Sequence, residues 1–371
     1  MPSFEYSIPA HGGDIERIAM RYGVNAMELR DFSVNVNPCG APPAVLELLA
    51  DRDALARALA SYPDRDAASL KRALSERYNV PRGAIVVANG SAALIDAALR
   101  SLAPTCCLVP VPAFSEYRRA IVASGHTWKP IALASAEDFC LDVRRTIEEL
   151  LRVRPGVLIL TNPHNPSGAL CKREPLLEIV RAASAVQCML LLDEAFIDYA
   201  PRESLVAEAV KFDNLIVLRS LTKFYGMPAM RVGYAVATPQ IVRNVAAFLP
   251  SWPVSTIALN AAVRAISDPL FEKRSLARNA ASKHDFVQSL REIGVRVVPS
   301  AANFLLLELP DSWGARELVC ERLVRSWGIV VRDCGDYDGL ADRNFVRVGI
   351  KTSKNNERIV QAFRSISKRG E

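Results

Sequence analysis

The segment RSLTKFYGMPAMRVG, residues 219–233, carries a hydroxyl at Ser220, an amine at Lys223 and a guanidinium at Arg231, just after the apolar run NLIVLRSL. A lysine amine can bond covalently to an aldehyde, and a hydroxyl with an arginine can hold an anion. The same lysine could equally be a solvated loop residue, as most lysines are. Other apolar runs also end in reactive side chains. NPHNPSG follows GVLILT; it suits a turn, and it could also let Asn165 aim an amide donor at a ligand. Asp193 and Glu194 close CMLLLDEAF, where a half-buried carboxylate needs a cation or donors, unless it serves as a helix cap or surface pair. After AIVVAN, Asn89-Gly90-Ser91 opens a helical stretch whose free amides could bind an anion or simply be capped.

Positioning these groups requires strands that end together. Candidate strands are 84–89, 106–111, 156–161, 188–195, 214–221 and 231–237, alternating with helical patterns such as AALIDAALRSLA and EPLLEIVRAASA. This βαβα rhythm predicts an α/β fold, a largely parallel sheet flanked by helices, with ligands at the strands' carboxyl ends. After about Ser255 a long helical run leads into VRVVPS, NFLLLEL, GIVVRD and NFVRVGI and a terminal helix, which predicts a smaller α+β domain. The expected division is an arm over 1–45, a large domain over 46–265 and a small domain over 266–371.

Bulk properties remove several function classes. The 371 residues carry 46 basic and 40 acidic side chains, a net charge of +6 with no basic block, so nucleic acid is not an expected partner. Apolar runs such as VLIL and MLLL are too short to cross a bilayer. The eight cysteines form no C-x-x-C, and the start resembles no secretory signal, so reduced thiols and a cytoplasmic location are expected. No G-x-G-x-x-G follows an early strand, which argues against a dinucleotide site.

An amine, a carboxylate, an amide and an anion cradle at one set of strand ends match the needs of pyridoxal 5′-phosphate (PLP): a covalent anchor, a partner for the ring nitrogen, a donor to the ring oxygen and a phosphate cup. The motifs HGGD, DFSVNVNPCG, YPD, PAFSEY, DEAFIDY, RSLTKFYGMPAMRVGY and the tail VVRDCGDYDGL…FVRVGI resemble the class I/II aminotransferase family of fold-type I PLP enzymes across nearly the whole chain. The resemblance implies that fold, with a large PLP-binding domain and a small one. It also implies a homodimer with shared active sites, in which Tyr62 reaches the neighbour's cofactor phosphate.

The resemblance implies further roles. Lys223 would anchor the cofactor, Asp193 would face its ring nitrogen, Asn165 would donate to its ring oxygen and Phe114 would stack on it. Gly90, Ser91, Ser220 and Arg231 would hold its phosphate. Arg347 would grip the substrate carboxylate; His11, Gly12, Gly13, Asn37, Asn165 and Arg332 would complete the substrate site. Where many aminotransferases carry a tyrosine that donates to the ring oxygen, this chain has Phe196. HGG, Phe196 and the tail favour the branch of the family that decarboxylates threonine phosphate, or serine phosphate, for the cobalamin side chain. The alternative is amino-group transfer from histidinol phosphate. A non-catalytic binding domain is disfavoured by the presence of Lys223, Asp193, Asn165 and Arg231 together.

Overall fold

A computed structural model describes residues 12–368. Its centre is a seven-stranded sheet in the order Ile85–Ala88, Gly233–Val236, Leu215–Ser220, Met189–Asp193, Val157–Thr161, Cys106–Val111 and Thr127–Ala132. Gly233–Val236 is antiparallel to both neighbours, and the other pairings are parallel. Helices cover both faces, which is why the inner strands read as unbroken apolar runs. Successive residues enter opposite cores: Leu158, Leu160, Leu190, Leu192 and Val217 pack into one, and Ile159, Leu191, Ile216 and Leu218 into the other.

The six strands expected in this sheet lie within one or two residues of their anticipated ends, whereas of the small-domain runs VRVVPS is a strand only at Arg296–Val297 and GIVVRD divides into Ile329–Val330 and Arg332–Asp333. One strand of this sheet, Thr127–Ala132, was not anticipated. It lies at the sheet edge, contains Pro130 and is mostly exposed or half-buried, so it lacks the apolar signature of its neighbours.

The small domain is a four-stranded antiparallel sheet of Arg332–Asp333, Phe345–Gly349, Phe304–Glu308 and Arg296–Val297. Arg30–Asp31 of the arm pairs with Ile329–Val330, and Phe32 joins the small-domain core. The helix Pro269–Arg291 runs between the domains, with Phe271 in the large core and Phe286 and Leu290 in the small one. Among the described residues, no helix is long and apolar enough to cross a membrane.

The arm also fixes the lysine turn. The Asn37 backbone N–H donates to the Lys223 carbonyl at 3.1 Å, and Asn37 Nδ2 donates to the Phe224 carbonyl at 2.7 Å. Gly226 closes the turn at φ 60°, and a Cβ there would lie 2.3 Å from the Gly40 carbonyl oxygen. Gly226→Ala should therefore cost more than the roughly 1–2 kcal/mol of a left-handed backbone alone. Gly125→Ala, at φ 75° with nothing within 4 Å of the added carbon, should cost only that conformational term. Chemical denaturation of both variants checks this; equal losses would contradict it.

Candidate active site

The strand pleat sorts the residues at the carboxyl ends. Thr161 stands opposite Asp193, and Asp193 opposite Leu218. Alternation puts Thr161, Asp193 and Ser220 on one face and Glu194 and Arg219 on the other. The first three line a cleft of about 200 Å³ between the domains. Glu194 and Arg219 instead join a buried network beneath it. Arg219 lies 2.5 Å from Asp198 and 3.6 Å from Glu194, which also accepts the Leu205 N–H at 2.7 Å. Burial pushes the Glu194 carboxyl up to about 7, against the pull of Arg219.

Asp193 is buried, with 3% of its surface exposed. Its Oδ2 accepts the Tyr117 hydroxyl at 2.7 Å and its Oδ1 the Ala195 N–H at 2.9 Å. Burial raises its pKa, and those two donors and the charge of Lys223 oppose the rise. Lys223 shifts the opposite way. Burial, then the charges of Arg347 and Arg231, push its amine down to about 8, while Asp193 pulls it back up. The cleft thus makes an uncharged amine accessible near neutral pH.

Arg347 projects from Phe345–Gly349 and is buried. It donates to Asn165 Oδ1 at 2.5 Å and to the Ser33 carbonyl at 3.0 Å, and its Nε has no partner. With its oxygen engaged, Asn165 keeps its amide N–H groups for a ligand. Phe114 lines the cleft with its ring edge-on to Tyr117, and Phe196 does so with its ring edge-on to Phe304. Phe196 supplies shape and no hydroxyl.

The helix Gly90–Leu102 begins at the cleft, where Ser91 is a lining residue. Gly90 adopts φ 81°, and a Cβ there would lie 2.8 Å from Arg231 Nη2. A helix amino end, a close guanidinium and the Ser220 and Thr222 hydroxyls, 2.8 Å apart, form a cradle suited to a phosphate. With Lys223 and Asp193 in the same cleft, these residues fit PLP.

Several expected substrate residues are placed differently. Asn37 is not at the cleft: its Nδ2 is committed to the Phe224 carbonyl and to Ser275 Oγ at 2.9 Å, so it braces the lysine turn. Asn35, two residues earlier, lines the cleft and has a buried Oδ1 without a partner. Arg332 lines the cleft but its Nη2 already donates to both carboxylate oxygens of Asp336, at 2.7 and 2.8 Å. Gly12 lines the cleft, while the Gly13 N–H binds Ser33 Oγ at 3.0 Å. His11 lies outside the described residues. Tyr62 is 79% exposed, stacked on Trp252, and absent from its own chain's cleft lining.

Tyr117, Thr161, Thr222, Asn35 and Tyr337 also line the cleft and had no expected role. Only Tyr117 left a signal, since it follows Phe114 by three residues and so shares its helix face.

In cofactor-free protein, the rate of Lys223 modification by an amine-selective acylating reagent should rise with pH around a midpoint of about 8. Asp193→Asn should lower that midpoint further. A midpoint near the ordinary lysine value of about 10.4 would contradict the assigned environment.

The family model for aminotransferase class I and II matches residues 28–363. The chain is 34% identical over 365 residues to threonine-phosphate decarboxylase of Salmonella typhimurium, covering 96% of both proteins. It is 28% identical over 367 residues to histidinol-phosphate aminotransferase of Methanococcus aeolicus, covering 98% of this chain and 96% of that one. A third relative is the adenosylcobalamin biosynthesis bifunctional protein CobDQ of Leptospira interrogans, 30% identical over 364 residues; these make up 97% of this chain and 41% of that longer protein. Among solved structures, histidinol-phosphate aminotransferase from Sinorhizobium meliloti in complex with PLP shares the fold. The TM-score is 0.86 at 22% identity, covering 100% of this chain and 98% of that one. The chain therefore belongs to the class I and II aminotransferase family, with the fold-type I architecture and pyridoxal 5′-phosphate as its cofactor.

Proposed function

We propose that this enzyme decarboxylates L-threonine O-3-phosphate, or L-serine O-phosphate, to the corresponding amino-alcohol phosphate and CO₂. The observation that carries the reading is a pair of arginines. Arg332 and Arg347 are register partners on adjacent antiparallel strands, and both are buried and face the cleft. Like charges directly opposite in a sheet destabilise it, so two buried guanidinia there need anions. Arg347 has only neutral hydrogen-bond partners, and Arg332 has Asp336. Arg347 is thus left without an anion while Arg332 has one; a substrate with two anionic groups a few bonds apart, such as a phosphorylated β-hydroxy amino acid, would supply the first and share the second.

Lys223 would anchor the cofactor, Gly90, Ser91, Ser220 and Arg231 its phosphate, Asp193 its ring nitrogen and Asn165 its ring oxygen, while Phe114 would cover its face. PLP, when bound, supplies the ring that accepts the electron pair left at Cα. Arg347 orients the substrate carboxylate. Arg332 and the Gly12 backbone would hold the substrate phosphate, the Gly13 N–H being taken by Ser33, and this anchor and Arg347 would decide which bond at Cα breaks. The carboxylate carbon departs as CO₂, and Lys223, with its lowered proton affinity, delivers a proton to Cα. Phe196 leaves Asn165 as the donor to the ring oxygen. The relationship to the Leptospira protein named for adenosylcobalamin biosynthesis supports placing the product in the cobalamin side chain.

Amino-group transfer from histidinol phosphate is the second reading, favoured by relatives of that name at comparable identity. Purified enzyme should release CO₂ from threonine phosphate without consuming 2-oxoglutarate. Plain threonine should lose kcat as well as affinity, with kcat/KM about a hundredfold lower, because the remote phosphate contributes orientation. Glutamate formed from histidinol phosphate, with no CO₂ from threonine phosphate, would overturn the reading.

The exposure of Tyr62 supports a homodimer in which it reaches the partner's cofactor phosphate. Heterodimers of inactive Lys223→Ala and inactive Tyr62→Ala subunits should regain part of the activity, because one composite site is intact. Heterodimers that form and stay inactive would exclude sharing.

A further inference from the structure

Tyr117 is a large, fully buried side chain with a hydroxyl at the floor of the cleft. It sits on the first turn of the helix Ser115–Ala123, three residues after Phe114, and their rings meet edge to face at 5.6 Å. Its hydroxyl lies 2.7 Å from Asp193 Oδ2 and 2.8 Å from Thr161 Oγ1. A phenol has one hydrogen, and an ionised carboxylate can only accept. The hydrogen of Tyr117 therefore goes to Asp193, and the Thr161 hydroxyl donates to the Tyr117 oxygen. The result is a one-way chain, Thr161 to Tyr117 to Asp193. Sheet register builds it, since Thr161 and Asp193 are cross-strand partners on the cleft face.

We infer that Tyr117 is a positioning residue, which with Thr161 behind it keeps Asp193 ionised and aimed at the cofactor ring nitrogen. The inference rests on the assignment of Asp193 to that nitrogen. Asp193 is buried, which disfavours its charged form, and beside the Ala195 N–H the Tyr117 hydroxyl is its other hydrogen-bond donor. Hydrogen bonds to a charged acceptor are the strong class, and their loss falls on the charged form. The aromatic ring has a separate duty, packing against Phe114, which phenylalanine would preserve.

Tyr117→Phe isolates the hydroxyl. With Asp193 less able to stay ionised, the ring nitrogen loses protonated character, so a neighbouring nitrogen becomes easier to protonate. The pH titration of the visible absorbance of the PLP-loaded, substrate-free variant should move its midpoint upward. The PLP dissociation constant should weaken about tenfold, the scale expected for one charged hydrogen bond. kcat should fall with KM little changed, and Thr161→Val should shift both equilibrium readouts in the same direction by less. If Tyr117→Phe does not fold, Thr161→Val alone carries the test. Asp193→Asn separates the two claims. If it leaves the titration midpoint unmoved, the Asp193 assignment fails. If it moves the midpoint while Tyr117→Phe changes neither midpoint nor PLP affinity, Tyr117 is only a core aromatic and this inference fails.

Discussion

The lining of the cleft carries more positive than negative charge. Among the described lining residues, Lys223, Arg231, Arg332 and Arg347 face a single acidic side chain, Asp193, and behind the lining Asp336 pairs with Arg332. In a site with reduced access to water such an excess is unfavourable, and it is relieved by lowering the proton affinity of the amine and by binding anions. The first effect is visible in Lys223, whose pKa is depressed by burial and by two of those arginines. The second supports the ligand class proposed above. Arg231 at the helix amino end suits the cofactor phosphate, and the paired Arg332 and Arg347 suit a substrate with two anionic ends. On the proposed reading, one electrostatic imbalance would prepare both the covalent anchor and the substrate grip.

The fold maintains this imbalance through the pleat of its strands. Asp193 and Glu194 are neighbours in sequence with opposite fates because successive residues face opposite sides of a sheet. Glu194 is turned towards Arg219 in the layer beneath the cleft, and Asp193 is left as the carboxylate facing the cleft. A one-residue slip of that strand would exchange the two. The arm contributes from another direction: Asn37 clamps the turn of Lys223, and Ser33 holds Arg347 through its carbonyl. Strand ends from the large domain, arginines from the small domain and a segment from the arm therefore meet at one place.

Much of this was legible in the sequence, for identifiable reasons. The inner strands announce themselves because both of their faces are buried; Lys223, Asp193 and Asn165 stand at or shortly after strand ends, and Arg347 interrupts an otherwise apolar strand. The edge strand Thr127–Ala132 stayed hidden because exposure and Pro130 break its pattern. Asn37 and Asn35 could not be told apart, since both lie in one irregular extended segment and only tertiary contact decides which amide is consumed. Arg332 was legible as a strand-end arginine, but its partner Asp336 depends on the path of the following loop. Tyr117 looks like a core aromatic until strand register brings Thr161 and Asp193 to its hydroxyl.

The central claim is that this cleft holds PLP on Lys223. Borohydride reduction of the cofactor-loaded protein makes any lysine–cofactor bond permanent, and peptide mapping then locates it. The account predicts a single modified peptide carrying the label on Lys223. A label on another lysine, or none at all in protein that retains stoichiometric cofactor, would contradict it.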